Sequence, residues 1–421
     1  MTMSKKYDVI VIGGGASGLM AAGRAGERGL SVLLLEKNKK VGEKLSITGG
    51  GRCNITNAEE DERILLSHYG AAEQFLYSPF SQFGMKDTCH FFESQGLPIV
   101  VEARKRAFPK SQKAHDVVEV LAAYAKKGNV EIQTGTPITS IAHENGRITH
   151  VVAGKATYTA SQYILATGGV SHPETGSTGD GYAFLKALGH TVQKPTPTIV
   201  PLATKEPWSK KLAGVSLSFM KITFFIEGKK AFSKTGKLLF THFGISGPLI
   251  LNSAVAVADL LHTGAVTATI DAYPDTDLGA LEKRIISVFD ANKNKTLRTV
   301  LKDIVPAGTV KGIEILLEGV VDISNRVHSV SKEDRKTITR LLKALPMSIH
   351  GLMGFDRAVI ADGGVVLSEI DMRTMQSKKV ENLFVTGDLL HINRPSGGYS
   401  LQLCWTTGYV AGSQVATPQQ S

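Results

Sequence analysis

Gly13-Gly14-Gly15-Ala16-Ser17-Gly18 spells G-x-G-x-x-G, and a carboxylate, Glu36, follows 18 residues beyond the last glycine. The glycines serve distinct physical ends. Gly13 permits a tight turn, Gly15 lets backbone N–H groups approach a pyrophosphate, and Gly18 lets a helix pack closely on a strand. A helix starting from such a turn favours an anion, because its first N–H groups lack partners and its dipole is positive there. Glu36 is placed to accept hydrogen bonds from ribose hydroxyls, and its charge disfavours a 2′-phosphate, so the pocket is expected to hold a dinucleotide other than NADP. Glycine-rich turns are common, and the motif alone is weak. Its setting decides: Val9-Ile10-Val11-Ile12 reads as a buried parallel strand, residues 19–28 as an Ala-rich helix ended by Gly29, and residues 31–35 as a second apolar strand.

A second group of ligand-facing residues begins with Lys37. Residues 37–57 contain Gly42, Thr48-Gly49-Gly50-Gly51-Arg52-Cys53-Asn54 and Thr56-Asn57, too glycine-rich for a helix or strand and expected as a ligand-wrapping loop. Three consecutive glycines expose backbone donors, and Arg52 carries a permanent charge suited to a phosphate or a developing flavin anion; a flexible surface loop is the plain alternative. Pro137-Ile138, after a strand at 130–134, could lie against an adenine. Residues 162–169 form a buried strand running into Ala166-Thr167-Gly168-Gly169, and residues 382–388 another ending in Gly387-Asp388. Ser396-Gly397-Gly398-Tyr399 leads into a helix over about 400–411, including Leu401, whose positive end would stabilise a reduced flavin anion. A Gly-Asp pair after a strand is also an ordinary turn.

The framework holding these groups is an α/β fold. At 421 residues the chain exceeds the size at which one core stops growing, so two or three domains are expected. Hydrophobic residues at 42% and charged residues at 20% exclude disorder, and no stretch approaches the roughly 20 apolar residues that span a bilayer. Lys5 and Lys6 before an apolar stretch imitate a signal peptide, but that stretch breaks into the glycine motif. Helices are expected at 86–95 and 115–126, an extended piece at 97–101, and a hairpin from 148–152 and 156–159 after an Asn145-Gly146 turn. Gly176 to Gly181 opens a helix reaching Leu188 and ended by Gly189. Pro195, Pro197 and Pro201 mark a domain crossing. Alternating strands follow at 215–226, 237–240 and 265–272. Leu278, Leu281, Ile285, Val288 and Phe289 then recur at helical spacing, and Ser331 with Asp334 makes a capping box. The resulting division is a discontinuous Rossmann-type domain at 1–194 and 355–421, a β-rich insertion at 195–274 and 346–354, and a helical lobe at 275–345.

Cys53, Cys89 and Cys404 lie far apart, with no C-x-x-C pair and no histidine cluster at metal-ligand spacing. A reduced, cytosolic protein without a metal site is expected. The net charge of +10 is spread through many segments, which makes anionic ligands a more economical account than nucleic acid.

The order G-G-G-A-S-G, Glu36, G-G-G-R-C-N-x-T-N, A-T-G-G, T-G-D-G and V-T-G-D…S-G-G-Y-S-L-Q resembles the BaiN/YhiN-like family of FAD-dependent oxidoreductases nearly end to end. That family is similar to glutathione-reductase-like flavoproteins and distantly to fumarate reductase and ketosteroid dehydrogenase flavoproteins. The resemblance implies noncovalent FAD contacted by Gly13, Gly15, Ser17, Glu36, Lys37, Arg52, Gly168 and Asp388. Neighbouring positions expected around the cofactor are Gly14, Ala16, Gly18, Gly51, Cys53, Pro137, Ile138, Ala166, Thr167, Gly169, Gly387, Gly398, Tyr399 and Leu401. Residues 389–395 depart from the acid- and glycine-containing run expected in relatives, so the substrate does not carry over.

By the same resemblance the reaction is hydride exchange at flavin N5 with a small molecule, such as reduction of a carbonyl-conjugated C=C bond. It needs a donor to the carbonyl and a general acid. Tyr399, His391 and Arg394 are the catalytic candidates, with His172 and His242 behind them. One G-x-G-x-x-G and no second strand–turn–helix unit argue against a dedicated nicotinamide domain, so NAD(P)H is expected as a transient donor or another reductant serves. A non-enzymatic flavin sensor and an RNA-modifying flavoprotein are the alternatives.

Overall fold

A computed structural model describes residues 6–416; residues 1–5, with Lys5, and 417–421 lie outside the described residues. The chain forms two compact units, Met1–Thr196 with Val359–Ser421, and Pro197–Ala358.

The first unit is built on a five-stranded sheet in the order Leu383–Val385, Ala160–Leu165, Tyr7–Ile12, Val32–Leu35, Glu131–Gln133, with every neighbouring pair parallel. Val9, Ile10, Val11, Leu33, Leu34, Ile164 and Leu165 have no exposed surface, as expected of β-branched and aliphatic strands covered on both faces. The helix Ala16–Glu27 is clasped between two others through small residues. A Cβ at Gly23 would meet the Tyr124 ring of Ala114–Lys127 at 2.2 Å, and Cβ atoms at Gly408 and Gly412 of Tyr399–Gln414 would lie 2.4 Å from the Ser17 and Ala21 carbonyl oxygens. Close helix approach therefore depends on glycine at these positions. The hairpin turns at Asn145 (φ 50°) and Gly146 (φ 75°), both left-handed, as the Asn-Gly pair demands.

Residues 37–57 are not the continuous loop expected from their glycine content. Glu43-Lys44-Leu45-Ser46-Ile47, all tolerant of helix, begin the segment Glu43–Gly51 after left-handed Gly42, and the helical path breaks only at Thr48. Gly49, Gly50 and Gly51 then run left-handed, and Thr56–Asn57 forms a short strand against Arg106–Pro109. Glycine content averaged over the whole stretch hid a helix that a few ordinary residues suffice to start.

The second unit is a closed antiparallel barrel of Leu202–Thr204, Gly244–Ser246, Lys229–Thr241, Ser216–Ile226, Val266–Asp271 and Leu345–Leu352. Ile222, Phe224, Leu238, Phe240 and Ile270 fill it at 0–1% exposure. The strand expected at 237–240 is the end of a 13-residue strand, Lys229–Thr241, whose polar first half carries no apolar alternation to reveal it. The helices Leu278–Ala291, Leu297–Ile304, Val310–Leu317 and Lys332–Lys343 complete this unit's core, and Ser331 and Asp334 form the reciprocal cap of the last of them.

Candidate active site

Strand register brings the predicted groups to one edge. Ile12 lies beside both Leu35 and Leu165, and Leu165 beside Val385, so Gly13, Glu36, Ala166 and Thr386 leave the sheet together at its carboxyl end. Open α/β sheets bind ligands at this edge.

The glycines of the first turn divide by role. Gly13 takes φ +106° and a Cβ on it would lie 2.5 Å from the Ala166 carbonyl oxygen, while a Cβ on Gly18 would lie 1.9 Å from the Gly13 oxygen. Those two are required by packing. Nothing lies within 4 Å of a Cβ built on Gly15, so open space faces the backbone there. The helix Ala16–Glu27 begins at Gly15 with no side-chain cap and no acid in its first turn, which suits its N–H groups to an anion. Glu36, 8% exposed, accepts the Gly14 N–H at 2.6 Å on one oxygen and the Asn38 N–H at 2.7 Å on the other. It thus locks the turn, and its remaining lone pairs are available to ribose hydroxyls. Thr136 N–H donates to the Glu36 carbonyl and Gly135 N–H to that of Asn38, which ties half-buried Ile138 and exposed Pro137 to the same end.

Gly50 and Gly51 also face open space, with φ +69° and +84°. Arg52 and Lys37, expected on the cofactor, already have partners. Arg52 pairs with Glu102, bonds Gln112 and stacks 4.1 Å over Phe108; Lys37 reaches Asp180 at 2.6 Å and Thr178 at 2.5 Å. Cys53 is fully buried and burial pushes its thiol up to about 12; Cys404 goes up to about 12 for the same reason. Burial thus disfavours the thiolate, the reactive form, at both positions.

Asp388 is the hub of the site. Its carboxylate lies 3.1 Å from Lys44 Nζ and pairs with the Arg394 guanidinium, while its carbonyl accepts from Tyr182 at 2.8 Å. Burial raises the Asp388 carboxyl, but the charges of Lys44 and Arg394 and the Lys44 hydrogen bond outweigh it and hold the group below the usual carboxylate range. Gly169 packs on Asp388, and a Cβ on Gly168 would meet Ser177 Oγ at 3.1 Å and Lys44 Nζ at 3.6 Å. Gly387 (φ +63°) donates its N–H to Thr407, midway along the Tyr399–Gln414 helix, and Thr386 Oγ1 donates to Ser17 Oγ at the start of the Ala16–Glu27 helix, which ties the end of strand 383–385 to both helices. Thr167 Oγ1 and Asn54 Oδ1 are buried without a hydrogen-bond partner among the described residues. Groups in that state fit a polar ligand lying across this edge.

The catalytic candidates separate. Tyr399 opens the Tyr399–Gln414 helix after left-handed Gly398, where a Cβ would lie 2.3 Å from the Thr56 carbonyl carbon. Its ring meets His68 at 4.9 Å and Tyr69 at 5.8 Å, its carbonyl accepts the Tyr69 hydroxyl at 2.9 Å, and burial pushes its own hydroxyl up to about 12. Arg394 is 4% exposed and already engaged by Asp388, Ser400 and the Ile392 carbonyl. His391 is 40% exposed, its Nδ1 3.2 Å from Asp362 but outside hydrogen-bond alignment. His172 pairs with Glu174 at 2.8 Å, and His242 belongs to the other unit, where its ring meets Phe243. Leu401, half-buried, packs on the core beside them.

The chain is similar to known proteins along nearly its whole length. The model of the HI0933-like protein Rossmann domain matches residues 7–414, which takes in every element named above. The chain belongs to that family. Among its HI0933-like relatives, a 3-dehydro-bile acid delta(4,6)-reductase from Clostridium scindens is 29% identical over 96% of this chain and 98% of its own. A ribosomal RNA dihydrouridine synthase from Escherichia coli is 26% identical over 99% and 100%. A 3-ketosteroid-delta4-(5alpha)-dehydrogenase from Rhodococcus jostii RHA1 shares the fold, with a TM-score of 0.54, 14% identity and 98% of each chain covered. The HI0933-like family is one of FAD-dependent oxidoreductases, and the open backbone at Gly15, Gly50 and Gly51, the unpartnered Thr167 hydroxyl and the two uncapped helix starts fit that cofactor. Lys44 escaped the sequence reading. It sits in a run with Lys37, Lys39 and Lys40, and only its approach to Asp388, 344 residues away, distinguishes it.

Proposed function

We propose that this protein reduces a C=C bond conjugated to a carbonyl, with NAD(P)H as its transient electron donor. The observation that carries the reading is chemical: a delta(4,6)-reductase of a 3-dehydro compound and a dihydrouridine synthase, both full-length relatives, are named for saturating such a bond. FAD, when bound, supplies a hydride at N5. Gly13 to Ser17 would hold the pyrophosphate and Glu36 the ribose, with Asp388, steadied by Lys44 and Arg394, against the ribityl chain. The β carbon of the substrate takes the hydride and its α carbon a proton, so the chain must supply a donor to the carbonyl oxygen and an acid. Tyr399 is the proposed donor: its hydroxyl, raised to about 12, stays protonated at neutral pH at the start of an uncapped helix. His391, half-exposed beside Asp362, is the proposed route for proton exchange with solvent. The transient nicotinamide site rests on the sequence holding one G-x-G-x-x-G motif, at the edge of the five-stranded parallel sheet.

Anaerobic protein, reduced with NADH or NADPH, is mixed with steroid enones and with uridine-containing RNA. Reoxidation of the flavin together with a product saturated at C=C supports the reading. No reoxidation by any conjugated acceptor overturns it. Between the two substrate classes, the distribution of positive charge favours a uracil ring in RNA.

A further inference from the structure

The surplus of positive charge, expected to be spread through many segments, lies mostly in one unit. Residues 197–358 hold 22 Lys and Arg against 15 Asp and Glu, whereas the larger remainder holds 26 against 23. Within the second unit the surplus is local: residues 205–237 carry eight lysines and two glutamates. Most of that stretch is the hairpin Ser216–Ile226 and Lys229–Thr241 of the barrel.

Strand register shows which side chains share its outer face. Leu217, Met220, Ile222 and Phe224 point inward and are buried, so Lys221, Thr223 and Phe225 point outward. Cross-strand partners share a face, which adds Thr235 opposite Lys221, Ser233 opposite Thr223 and Lys230 opposite Phe225. Lys237 adjoins inward Leu238 and also faces out, next to Phe219, which is 49% exposed. The result is a face of lysines, hydroxyls and two phenylalanines. Asp271, opposite Lys221 on the next strand, is taken by Lys343 at 2.7 Å. Among the described residues none of Lys221, Lys230 and Lys237 has a carboxylate within ion-pair distance, whereas Lys293, Lys336 and Lys343 of the same unit each have one. A face that served only solubility would interleave both signs. Like charges gathered on one strand pair repel, and a polyanion relieves that repulsion.

We propose that this hairpin face is an RNA-docking surface, its lysines neutralising phosphates and Phe219 and Phe225 offering stacking planes to unpaired bases. The proposal rests on the reductase reading and deepens it by naming the class of molecule that carries the reducible ring.

The test compares binding of a fluorescently labelled RNA hairpin with a uridine-containing loop by wild-type holoprotein and two triple variants of equal net charge. One is Lys221→Gln/Lys230→Gln/Lys237→Gln; the other is Lys126→Gln/Lys127→Gln/Lys155→Gln, three lysines of the flavin unit. The hairpin variant is expected to lose affinity on the order of tenfold or more and to lower the slope of log affinity against log salt by about 2–3, while the second variant binds like wild type. Unchanged FAD content and melting point in the hairpin variant show that it is folded. Equal losses in both variants, unchanged binding in the hairpin variant, or binding to anionic phosphatidylglycerol vesicles without RNA binding each overturn the surface. If wild type binds the RNA through this face but saturates no uracil in it, the surface stands and the RNA-reductase reading falls. If RNA reoxidises the flavin while the hairpin variant binds RNA normally, the reading stands and the surface falls.

Discussion

Replacing Glu36 is expected to damage both the empty fold and its hold on FAD, by amounts that follow from its contacts. In the structure each carboxylate oxygen accepts one backbone N–H, Gly14 at 2.6 Å and Asn38 at 2.7 Å, in a residue 8% exposed. A hydrogen bond to a charged group contributes about 1.5–3 kcal/mol. Glu36→Ala removes two, so the apoprotein is expected to lose about 3 kcal/mol, or roughly 6 °C of melting temperature for a unit of this size. A single ribose hydrogen bond lost as well raises the FAD dissociation constant by about 10- to 150-fold. Glu36→Gln is the sharper variant. Its amide NH2 must point at either the Gly14 or the Asn38 N–H, donor against donor, so shape is kept and stability is still lost. The assay is titration of deflavinated protein with FAD by fluorescence quenching, beside thermal melts of each apoprotein. An FAD constant within about threefold of wild type in both variants would refute the ribose role. An unshifted apo melt would refute the locking of the glycine turn.

Tyr399→Phe is expected to keep FAD and to slow substrate-dependent reoxidation of reduced flavin at least about tenfold, measured by anaerobic stopped flow; a wild-type rate refutes its role as donor. Acidification probes the buried knot in which Glu369 meets His190 at 2.9 Å and Lys379 at 2.7 Å, while Ser377 bonds the other His190 nitrogen at 2.9 Å. Burial lowers His190 below 6.5 and outweighs the pull of Glu369, so stability held above that pH is lost as His190 is forced to charge. Glu369 itself is held down at about 2: burial opposes this, but hydrogen bonds from Lys379, Thr191 and His190 prevail, so its share of stability is lost as pH falls from about 4.5 towards 2. Glu369→Gln should melt lower at pH 7 and lose the second, acid limb; a variant whose melting profile runs parallel to wild type contradicts this. With burial pushing Cys53 and Cys404 up to about 12 and Cys89 to about 11, native protein should react slowly with dithiodipyridine and yield all three thiols only on denaturation; rapid native titration of Cys53 or Cys404 would refute their burial as inert thiols.

What could be read from the sequence was local. The glycine turn, the helix it starts, the Asn145-Gly146 hairpin and the Ser331–Asp334 cap depend on backbone conformation and on groups a few residues apart, so residue types at fixed spacing define them. Gly13 and Gly387, which turn the chain after strands 7–12 and 383–385, were legible for the same reason. The partners of charged groups were not. Arg394 stood among the catalytic candidates, and Arg52 and Lys37 among the expected FAD contacts; their pairing with Asp388, Glu102 and Asp180, 6, 50 and 143 residues away, is seen only in the structure. The common face of Lys221, Lys230 and Lys237 was equally hidden, because two register shifts in the hairpin decide which lysines point outward. Sequence determined where backbone would bend and which stretches would be buried, since those follow from steric and hydrophobic preferences of single residues and their near neighbours. Only the tertiary structure decided which charges meet, because that depends on strands 7–12, 160–165 and 383–385 lying side by side, an adjacency set by the burial of the whole sheet rather than by any segment of it.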